Sequence, residues 1–312
     1  MICEKDDELA RLSFVILGAQ KSASTFLQNC VREHPNVWMP VGETPCFESP
    51  DYESNAYGSF LKSLQDITAS KIGIKRPDYF AKPEVAQRIE KELPEAKLIV
   101  VLRNPVERAL SAWYHNINEG FLPAMSAEDG LRLLLGAPDH VMPEYPRSRQ
   151  VLEYGFYAKH LGHYRDAFEQ GRLLILLHED VIKQPQMSLK KAFEHLDVSP
   201  NFLPTKRLKE RPQAVIYNLK RLQWLRFRSP LLNRFSQDGL RIIGKHKNPV
   251  RLLMAAVVVA TDRLAFSPLF GNEKPELSSE LRSMLYQYYE KDIECLVADY
   301  GLPVEHWRLT DD

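Results

Sequence analysis

The sequence predicts an α/β protein in which a central parallel β-sheet is flanked by helices on both faces. Short apolar runs rich in β-branched residues alternate with segments of helical periodicity, a pattern typical of repeated βα units in an open, doubly wound sheet. The first run leads into LGAQKSASTF at 17–26, which has the strand, loop and helix order of a phosphate-binding loop. Because ligands bind such sheets at the carboxyl ends of the strands, we expect the functional site there.

Four strands are predicted in order along the chain. The first, SFVILG, precedes the loop. The second, KIGIK at 71–75, is followed by the helical PEVAQRIEKEL. The third, AKLIVVLR at 96–103, is followed by the helical PVERALSAWYHN, and the fourth, GRLLILLHED at 171–180, is preceded by the helical YAKHLGHYRDAF. These alternations favour a parallel sheet over an antiparallel one.

The other segments are predicted to surround this sheet. Proline and glycine punctuate 120–150, which indicates a partly helical excursion over the sheet. Residues 211–275 combine a basic amphipathic helix, the loop QDGLRIIGKHKNP and an apolar helix. They are predicted to form a lid or an acceptor-site insertion, with a dimer surface or a substrate tunnel as the alternatives. The segment from 276 has a serine cap signal and helical spacing, so it is predicted to be a helix packed on the domain. Without a repeat or a low-complexity linker, we predict one domain over 1–312.

The composition limits the kinds of partner that can be expected. Lys plus Arg and Asp plus Glu both total 41, so the net charge offers no argument for nucleic acid or a membrane surface. The four cysteines, Cys3, Cys30, Cys46 and Cys295, form no CxxC pair, which argues against a zinc site and a disulfide framework. We therefore expect no metal, and a reducing compartment, the cytoplasm.

No membrane span is predicted. The amino terminus is acidic where a signal peptide would be basic and then apolar. The longest apolar stretch, LLMAAVVVA at 252–260, is shorter than the roughly 20 residues of a spanning helix. It is predicted to be a buried core helix, with a docking surface for a partner or a membrane as the alternative.

The loop at 17–26 departs from the triphosphate-binding pattern. Counting from Gly18, the positions of the usual Gly-Lys-Ser/Thr hold Ala23, Ser24 and Thr25, and the lysine comes early, at Lys21. The backbone N–H groups of 20–25 are expected at a helix amino terminus, where an anion is favoured. The alternative is that Ser24 or Thr25 only caps the helix. The lysine inside the turn favours the anion site, with these predicted ligands: Gln20, Lys21, Ser22, Ala23, Ser24 and Thr25.

A second group of candidate residues follows the third predicted strand. Arg103 stands at the carboxyl end of that strand, and Ser111 falls about two helical turns later. An arginine at a strand end is expected to point into the ligand crevice, and a guanidinium favours bidentate capture of phosphate. The sequence thus predicts two anion sites.

Together these stretches resemble the nucleotide-dependent sulfotransferases, enzymes that take a sulfuryl group from 3′-phosphoadenosine-5′-phosphosulfate (PAPS). GAQKSASTFLQNCVREHPNV is similar to their 5′-phosphosulfate loop, and LIVVLRNPVERALSAWYH to their 3′-phosphate motif. The resemblance implies that Lys21 lies against the oxygen bridging phosphate and sulfur, joined by Ser24 and Thr25. It also implies that Arg103 and Ser111 bind the 3′-phosphate, and that PAPS is used without a metal.

The resemblance also implies a base that deprotonates the acceptor. The glycan-modifying and many bacterial members carry a glutamate in a Lys/Ser-Glu-x-x-x-Phe context, which Glu43 and Phe47 match here after Gly42. Glu48 is the second choice. The small-molecule branch uses a histidine near the second strand, where this sequence has none. Without the resemblance, a lone loop glutamate is usually just solvated.

Lys75 is the third predicted catalytic residue. It ends the second strand and matches a Lys-x-Pro-x-Tyr segment of the glycan-modifying branch, which implies a second cation near the reacting centre or acceptor. The alternative is a strand-end lysine that points to solvent.

The predicted function is sulfuryl transfer from PAPS to a hydroxyl, or in second place an amine, of a small-molecule metabolite or natural product. The alternative is O-sulfation of a glycan or polysaccharide. A nucleotide kinase ranks lower, because the lysine is out of register: it comes at Lys21, and Ser24 stands at its usual position. A late basic loop closes the nucleotide site in many sulfotransferases; RIIGKHKNP, with Arg241, Lys245 and Lys247, has that composition. A homodimer is one option for the oligomeric state.

Overall fold

The computed structural model describes residues 12–49, 52, 57–205 and 215–307. Its described residues group into two compact units, each formed from two separate chain segments. The first unit belongs to Met1–Arg103 and Tyr157–Pro212, and the second to Asn104–Phe156 and Gln213–Asp312. The single domain over 1–312 stays a prediction.

Seven strands are present in the described residues. Five of them form a parallel sheet in the order β2-β3-β1-β4-β5, and the last two pair antiparallel. They are β1 (Phe14–Gly18), β2 (Val37–Trp38), β3 (Lys71–Lys75), β4 (Lys97–Leu102), β5 (Leu173–Leu177), β6 (Asn233–Phe235) and β7 (Ile242–Lys245). The four predicted strands are confirmed as β1, β3, β4 and β5, and so is the α/β fold with a central parallel sheet.

The α-helices are, in chain order, α1 (Ser24–Val31), α2 (Tyr57–Lys62), α3 (Pro83–Glu92), α4 (Pro105–Glu119), α5 (Ala127–Gly136), α6 (Arg149–Glu153), α7 (Tyr157–Leu161), α8 (Arg165–Glu169), α9 (His178–Lys183), α10 (Pro185–His195), α11 (Leu219–Leu225), α12 (Arg228–Leu232), α13 (Pro249–Thr261), α14 (Ser267–Leu269) and α15 (Ser279–Tyr300). A π-helical turn, Asp262–Phe266, joins α13 to α14.

The core of the first unit lies on both faces of the five-stranded sheet. Phe14 and Ile16 of β1 pack on one face with Leu27 of α1 and Phe193 of α10. The alternate residues of β1 point to the opposite face and are also fully buried. A strand buried on both faces is apolar throughout, which explains why these strands could be found as continuous apolar runs.

The second unit is mainly helical. The predicted carboxyl-terminal helix is α15, and Ser278 caps it by accepting a hydrogen bond from the N–H of Leu281. Trp113 of α4 is fully buried and leaves no room at Gly130 of α5, where a Cβ would lie 1.9 Å from the indole ring. The close approach of these two helices therefore requires glycine at this position.

Two expectations for 211–275 are corrected. The predicted loop QDGLRIIGKHKNP instead contains β7 of a hairpin, and 211–214 lie outside the described residues. The apolar helix extends beyond the predicted apolar stretch 252–260. The chain is continuously helical over the 21 residues Pro249–Leu269, and this helix is long and apolar enough to cross a membrane. It is not the predicted buried core helix either, since only Ala255 and Val258 of α13 are buried.

Candidate active site

The predicted anion-binding loop forms a tight turn between β1 and α1. Lys21 and Ala23 both adopt left-handed backbone conformations, with φ of 64° and 71°, which cost non-glycine residues roughly 1–2 kcal/mol each. Turns of this kind aim successive N–H groups at one point and so form concave anion sites. Gly18 permits the turn, because a Cβ at its φ of +137° would lie 2.6 Å from the carbonyl oxygen of Pro77.

The polar groups of this loop fit an anion such as a phosphosulfate. The N-cap of α1 is Ala23, which has no side-chain oxygen, so neither Ser24 nor Thr25 serves as the cap. The Ser22 hydroxyl is fully buried and has no hydrogen-bond partner among the described residues. Gln20 is also buried, and its Nε2 donates to Asp78 Oδ1 at 3.3 Å. Uncapped N–H groups at a helix start and a buried hydroxyl are donors that an anionic oxygen can use.

Arg103 reaches the loop from the end of β4. Its Nη1 donates a hydrogen bond of 3.1 Å to the carbonyl oxygen of Lys21. The Arg103 guanidinium thus lies against the backbone of the loop, while the resemblance assigns Arg103 and Lys21 to opposite ends of the nucleotide. Ser111 lies on α4, in the second unit, with 2% of its surface exposed. Its role as a 3′-phosphate ligand stays a prediction.

Lys75 connects the loop to the predicted base. Its Nζ donates to Thr25 Oγ1 at 2.8 Å and to Glu43 Oε1 at 3.0 Å. The side chain is only 1% exposed, so the alternative of a strand-end lysine pointing to solvent is wrong. Burial lowers the pKa of Lys75, and the charge of Glu43 opposes that shift. The ammonium is thus a desolvated cation held between a hydroxyl and a carboxylate.

Glu43 is held from two sides and still meets solvent. Its Oε2 accepts a hydrogen bond of 2.6 Å from Nη1 of Arg76, and 39% of the side chain is exposed. The loop that carries it is anchored by Gln28 of α1, whose Nε2 donates to the Gly42 carbonyl at 2.7 Å, and by the Thr44 N–H, which donates to the Lys75 carbonyl. Each carboxylate oxygen retains a lone pair beyond these contacts, so an acceptor hydroxyl could hydrogen-bond to it.

Sequence reasoning missed Arg76. Its guanidinium pairs with three carboxylates, those of Glu43, Glu48 and Asp78. Although burial disfavours the charge, these carboxylates raise the pKa of Arg76. The partners lie up to 33 residues away along the chain, so only its place directly after Lys75 in KRPDYF pointed to the site.

The second-choice base is placed differently from Glu43. Glu48 has a side chain that is 3% exposed, and it pairs with both Arg76 and Lys82. Its two oxygens are therefore occupied by cations in a buried position. We assign it to the support of Arg76 and retain Glu43 as the predicted base.

The remaining predictions concern the metal, the cysteines and the late basic loop, and the structure describes only part of these residues. Among the described residues no group of three or more His, Cys, Asp or Glu side chains could hold a metal ion. Cys30 and Cys46 are buried, Cys295 is exposed, and none of the three is in a disulfide within the described part of the chain; Cys3 lies outside it. In the suggested late basic loop Lys245 ends β7, and its closure over a nucleotide stays a prediction.

The sulfotransferase domain model matches residues 12–229, more than two thirds of the sequence. The chain belongs to the sulfotransferase family. The family prediction made from the two motifs is therefore confirmed. The match spans β1 to β5 and includes the predicted catalytic residues and the residues of both anion sites, but not the late basic loop.

Similar proteins agree with this assignment. A human heparan sulfate glucosamine 3-O-sulfotransferase 6 is 30% identical over 175 residues, which are 55% of this chain and 48% of that protein. A mouse bifunctional heparan sulfate N-deacetylase/N-sulfotransferase 4 is 24% identical over 94% of this chain and 31% of its own length. The chain thus spans less than half of these relatives. A sulfotransferase from Alicyclobacillus acidocaldarius superposes with a TM-score of 0.65 at 19% identity, covering 96% of this chain and 100% of its own, which supports the fold.

Proposed function

We propose that this sulfotransferase transfers a sulfuryl group from PAPS to a hydroxyl of a saccharide, with Glu43 as the base. The observation that carries the proposal is the position of Lys75, which hydrogen-bonds both Thr25 of the anion loop and Glu43. It links a phosphosulfate-type loop to an accessible carboxylate through one buried side chain. This is the arrangement that sulfuryl transfer needs, because donor and base must face the same sulfur.

Each residue has a defined part in the proposed reaction. Glu43 accepts the proton of the acceptor hydroxyl as its oxygen forms the new bond to sulfur. Lys21 stabilises the negative charge that develops on the phosphate oxygen when the bond from that oxygen to sulfur breaks. Lys75 orients Glu43 and supplies positive charge beside the sulfuryl oxygens. The products are a sulfate ester, 3′-phosphoadenosine-5′-phosphate (PAP) and the proton held by Glu43.

The relatives favour a saccharide acceptor. The human and mouse relatives named above are both described as heparan sulfate sulfotransferases, the human one for the glucosamine 3-O position. We therefore rank a sugar hydroxyl above the small metabolite predicted from sequence, and a sugar amine second. Lysine placement still disfavours a kinase, since Ser24 stands where the triphosphate pattern has its lysine and the lysine comes early, at Lys21.

The test is an acceptor screen with sulfur-labelled PAPS against oligosaccharides that contain N-acetylated, N-sulfated and free glucosamine, with hydroxylated metabolites in parallel. We expect label on an oligosaccharide hydroxyl. Label only on metabolites would contradict the saccharide assignment, and no label on any acceptor, together with no binding of PAP, would contradict the function.

Glu43→Gln tests the base. The amide keeps the shape and can accept the Lys75 hydrogen bond, but it takes no proton, so turnover should fall by roughly 100-fold or more. The affinity for PAP, measured by calorimetry, should change little. Glu95→Gln, at an exposed position of the same unit, is the matched control and should leave turnover unchanged. Near-normal turnover of Glu43→Gln would place the base elsewhere.

A further inference from the structure

The helix Pro249–Leu269 exposes much of its apolar surface to solvent. Leu253 is 67% exposed, Val257 55% and Leu264 82%. Ten of the sixteen exposed large apolar side chains in the described part of the chain lie between 227 and 269. An exposed apolar patch of this extent marks a binding surface for a protein or a membrane. The patch lies outside the catalytic residues described above and largely beyond the residues that match the family.

One side of this helix is fixed to the protein. Ala255 and Val258 are buried, and Trp224 Nε1 donates to the Val258 carbonyl at 2.9 Å. Nearer the other end, Asp262 is buried and pairs with Arg221 through two hydrogen bonds of 2.9 and 2.7 Å. Crossing a membrane would require these contacts to break and would place the Asp262 carboxylate in hydrocarbon. The helix is therefore built to lie on a surface.

The exposed side has the form of a shallow apolar binding face. A groove of about 500 Å³ runs along it, lined by apolar side chains and by one cation, Arg263. Further exposed apolar side chains of the same unit are Ile242 and Ile243 of the β6–β7 hairpin, 39% and 56% exposed, and Phe227 between α11 and α12. We name the exposed large apolar side chains of 227–269 the apolar face.

The charge of this region is strongly positive. Between 219 and 269 the sequence has ten Lys or Arg residues and two Asp or Glu residues, whereas the whole chain is neutral. Several of the cations are exposed, including Lys245, Lys247, Arg251 and Arg263. An apolar helix face with such cations is the combination that binds an anionic lipid surface.

We propose that the apolar face docks this sulfotransferase onto the surface of a membrane that contains anionic lipid. The apolar side chains would enter the boundary between headgroups and acyl chains, and the neighbouring cations would contact lipid phosphates. A second copy of the chain fits less well, because a symmetric dimer through this face would bring two positive regions together. The proposal is independent of the acceptor and of the assignment of Glu43.

The test is co-sedimentation of the full chain with two kinds of vesicle, phosphatidylcholine alone and phosphatidylcholine with phosphatidylserine. We expect binding to the anionic vesicles, weaker binding to the neutral ones and a decrease with added salt. Leu253→Asp and Leu264→Asp should each lower vesicle binding about tenfold or more, as expected for the loss of one leucine side chain that the bound membrane would bury. Lys247→Glu with Arg251→Glu should lower binding to the anionic vesicles only.

Met187→Asp is the matched control, because Met187 is 53% exposed on α10, outside the apolar face. It should bind vesicles like the unchanged chain, and thermal melts should show that all variants fold. No binding to anionic vesicles, or equal binding to both kinds, would overturn the proposal. So would a dimer in sedimentation equilibrium that Leu264→Asp dissociates.

Discussion

Lys75 shows how one residue can link two parts of a site. A buried ammonium is costly unless it is paired, and here a hydroxyl and a carboxylate compensate it. The pair is asymmetric, since Lys75 is 1% exposed and Glu43 39%. Loss of the carboxylate leaves a buried charge without its counter-ion, whereas loss of the ammonium leaves a carboxylate that still contacts solvent and Arg76.

This asymmetry can be measured by a double-mutant cycle. We expect Glu43→Ala to lower the free energy of unfolding by about 1–3 kcal/mol, because it leaves Lys75 unpaired. In a Lys75→Met background the same change should cost less than about 0.5 kcal/mol, since the buried ammonium is gone and Arg76 keeps Glu48 and Asp78 as partners. Urea unfolding of the four proteins gives the coupling. Equal costs in both backgrounds would mean that the ion pair does not determine the stability of this site.

At the scale of the elements, the sheet could be predicted and parts of the second unit could not. β1 and β4 are buried on both faces, so their sequences are continuous apolar runs, whereas β2 has only two residues and leaves no pattern. The apolar sequence of α13 predicted a helix, but it could not indicate whether the rest of the protein buries that helix. That depends on where α11 and α12 lie, which no local pattern encodes.

The candidate site could likewise be predicted in part. The carboxyl ends of parallel strands meet at one edge of a sheet, so the loop after β1 and the end of β3 could be expected to lie together. Arg76 and the burial of Lys75 could not be predicted, because a charged residue at a strand end is usually solvated. Their roles depend on Glu43 and Glu48, which another loop supplies.

The junction of β1 and its loop predicts a strict requirement for glycine. Gly18→Ala should lower the free energy of unfolding by roughly 1–3 kcal/mol, because the new Cβ would lie 2.6 Å from the Pro77 carbonyl oxygen in a conformation that disfavours side chains. PAP affinity should fall as well, since the loop must move. Gly136→Ala is the control, because Gly136 has open space around it. A Gly18→Ala protein with normal stability and PAP affinity would contradict this reading.

The segment after α1 predicts a dependence of stability on pH. His34 is buried between the rings of Phe193 and Phe202; its Nδ1 accepts the Asn36 N–H, and its Nε2 lies 3.3 Å from the Ser199 carbonyl oxygen. Burial lowers the pKa of His34 below its usual 6.5, although the Ser199 contact opposes the shift. The unfolded chain therefore binds more protons below pH 6.5, and stability is lost as the pH falls from 6.5 through the lowered value.

We expect His34→Gln to flatten this dependence. Between about pH 7 and pH 5 the free energy of unfolding of the variant should fall less steeply than that of the unchanged chain. Chemical unfolding at a series of pH values measures both slopes. Identical slopes would show that His34 does not titrate differently in the folded and unfolded states.

At the scale of the whole molecule, the average charge conceals its distribution. The chain is neutral overall, yet 219–269 carries a surplus of positive charge, and the acidic surplus lies elsewhere. Net charge therefore gave no argument for a membrane partner, while the apolar face with its cations gives one. Lys21 and Arg103 use positive charge in a different way, since each is predicted to bind one anionic group of the nucleotide.

Nucleotide selectivity tests the whole assignment with one measurement. PAP carries the 3′-phosphate that Arg103 is predicted to bind, and adenosine-5′-phosphosulfate lacks it. At a concentration of 100 times its dissociation constant, PAP should stabilise the chain by about 2.7 kcal/mol in thermal unfolding, and adenosine-5′-phosphosulfate at the same concentration by much less. Arg103→Ala should reduce the PAP effect strongly and leave the weak effect of the other nucleotide nearly unchanged, because a guanidinium contact to phosphate contributes to PAP alone. Arg165→Ala, on α8, is a control that removes an exposed arginine outside the two motifs. Equal stabilisation by the two nucleotides would contradict the 3′-phosphate assignment, and stabilisation by ATP with magnesium above that by PAP would return the loop to the triphosphate-binding class.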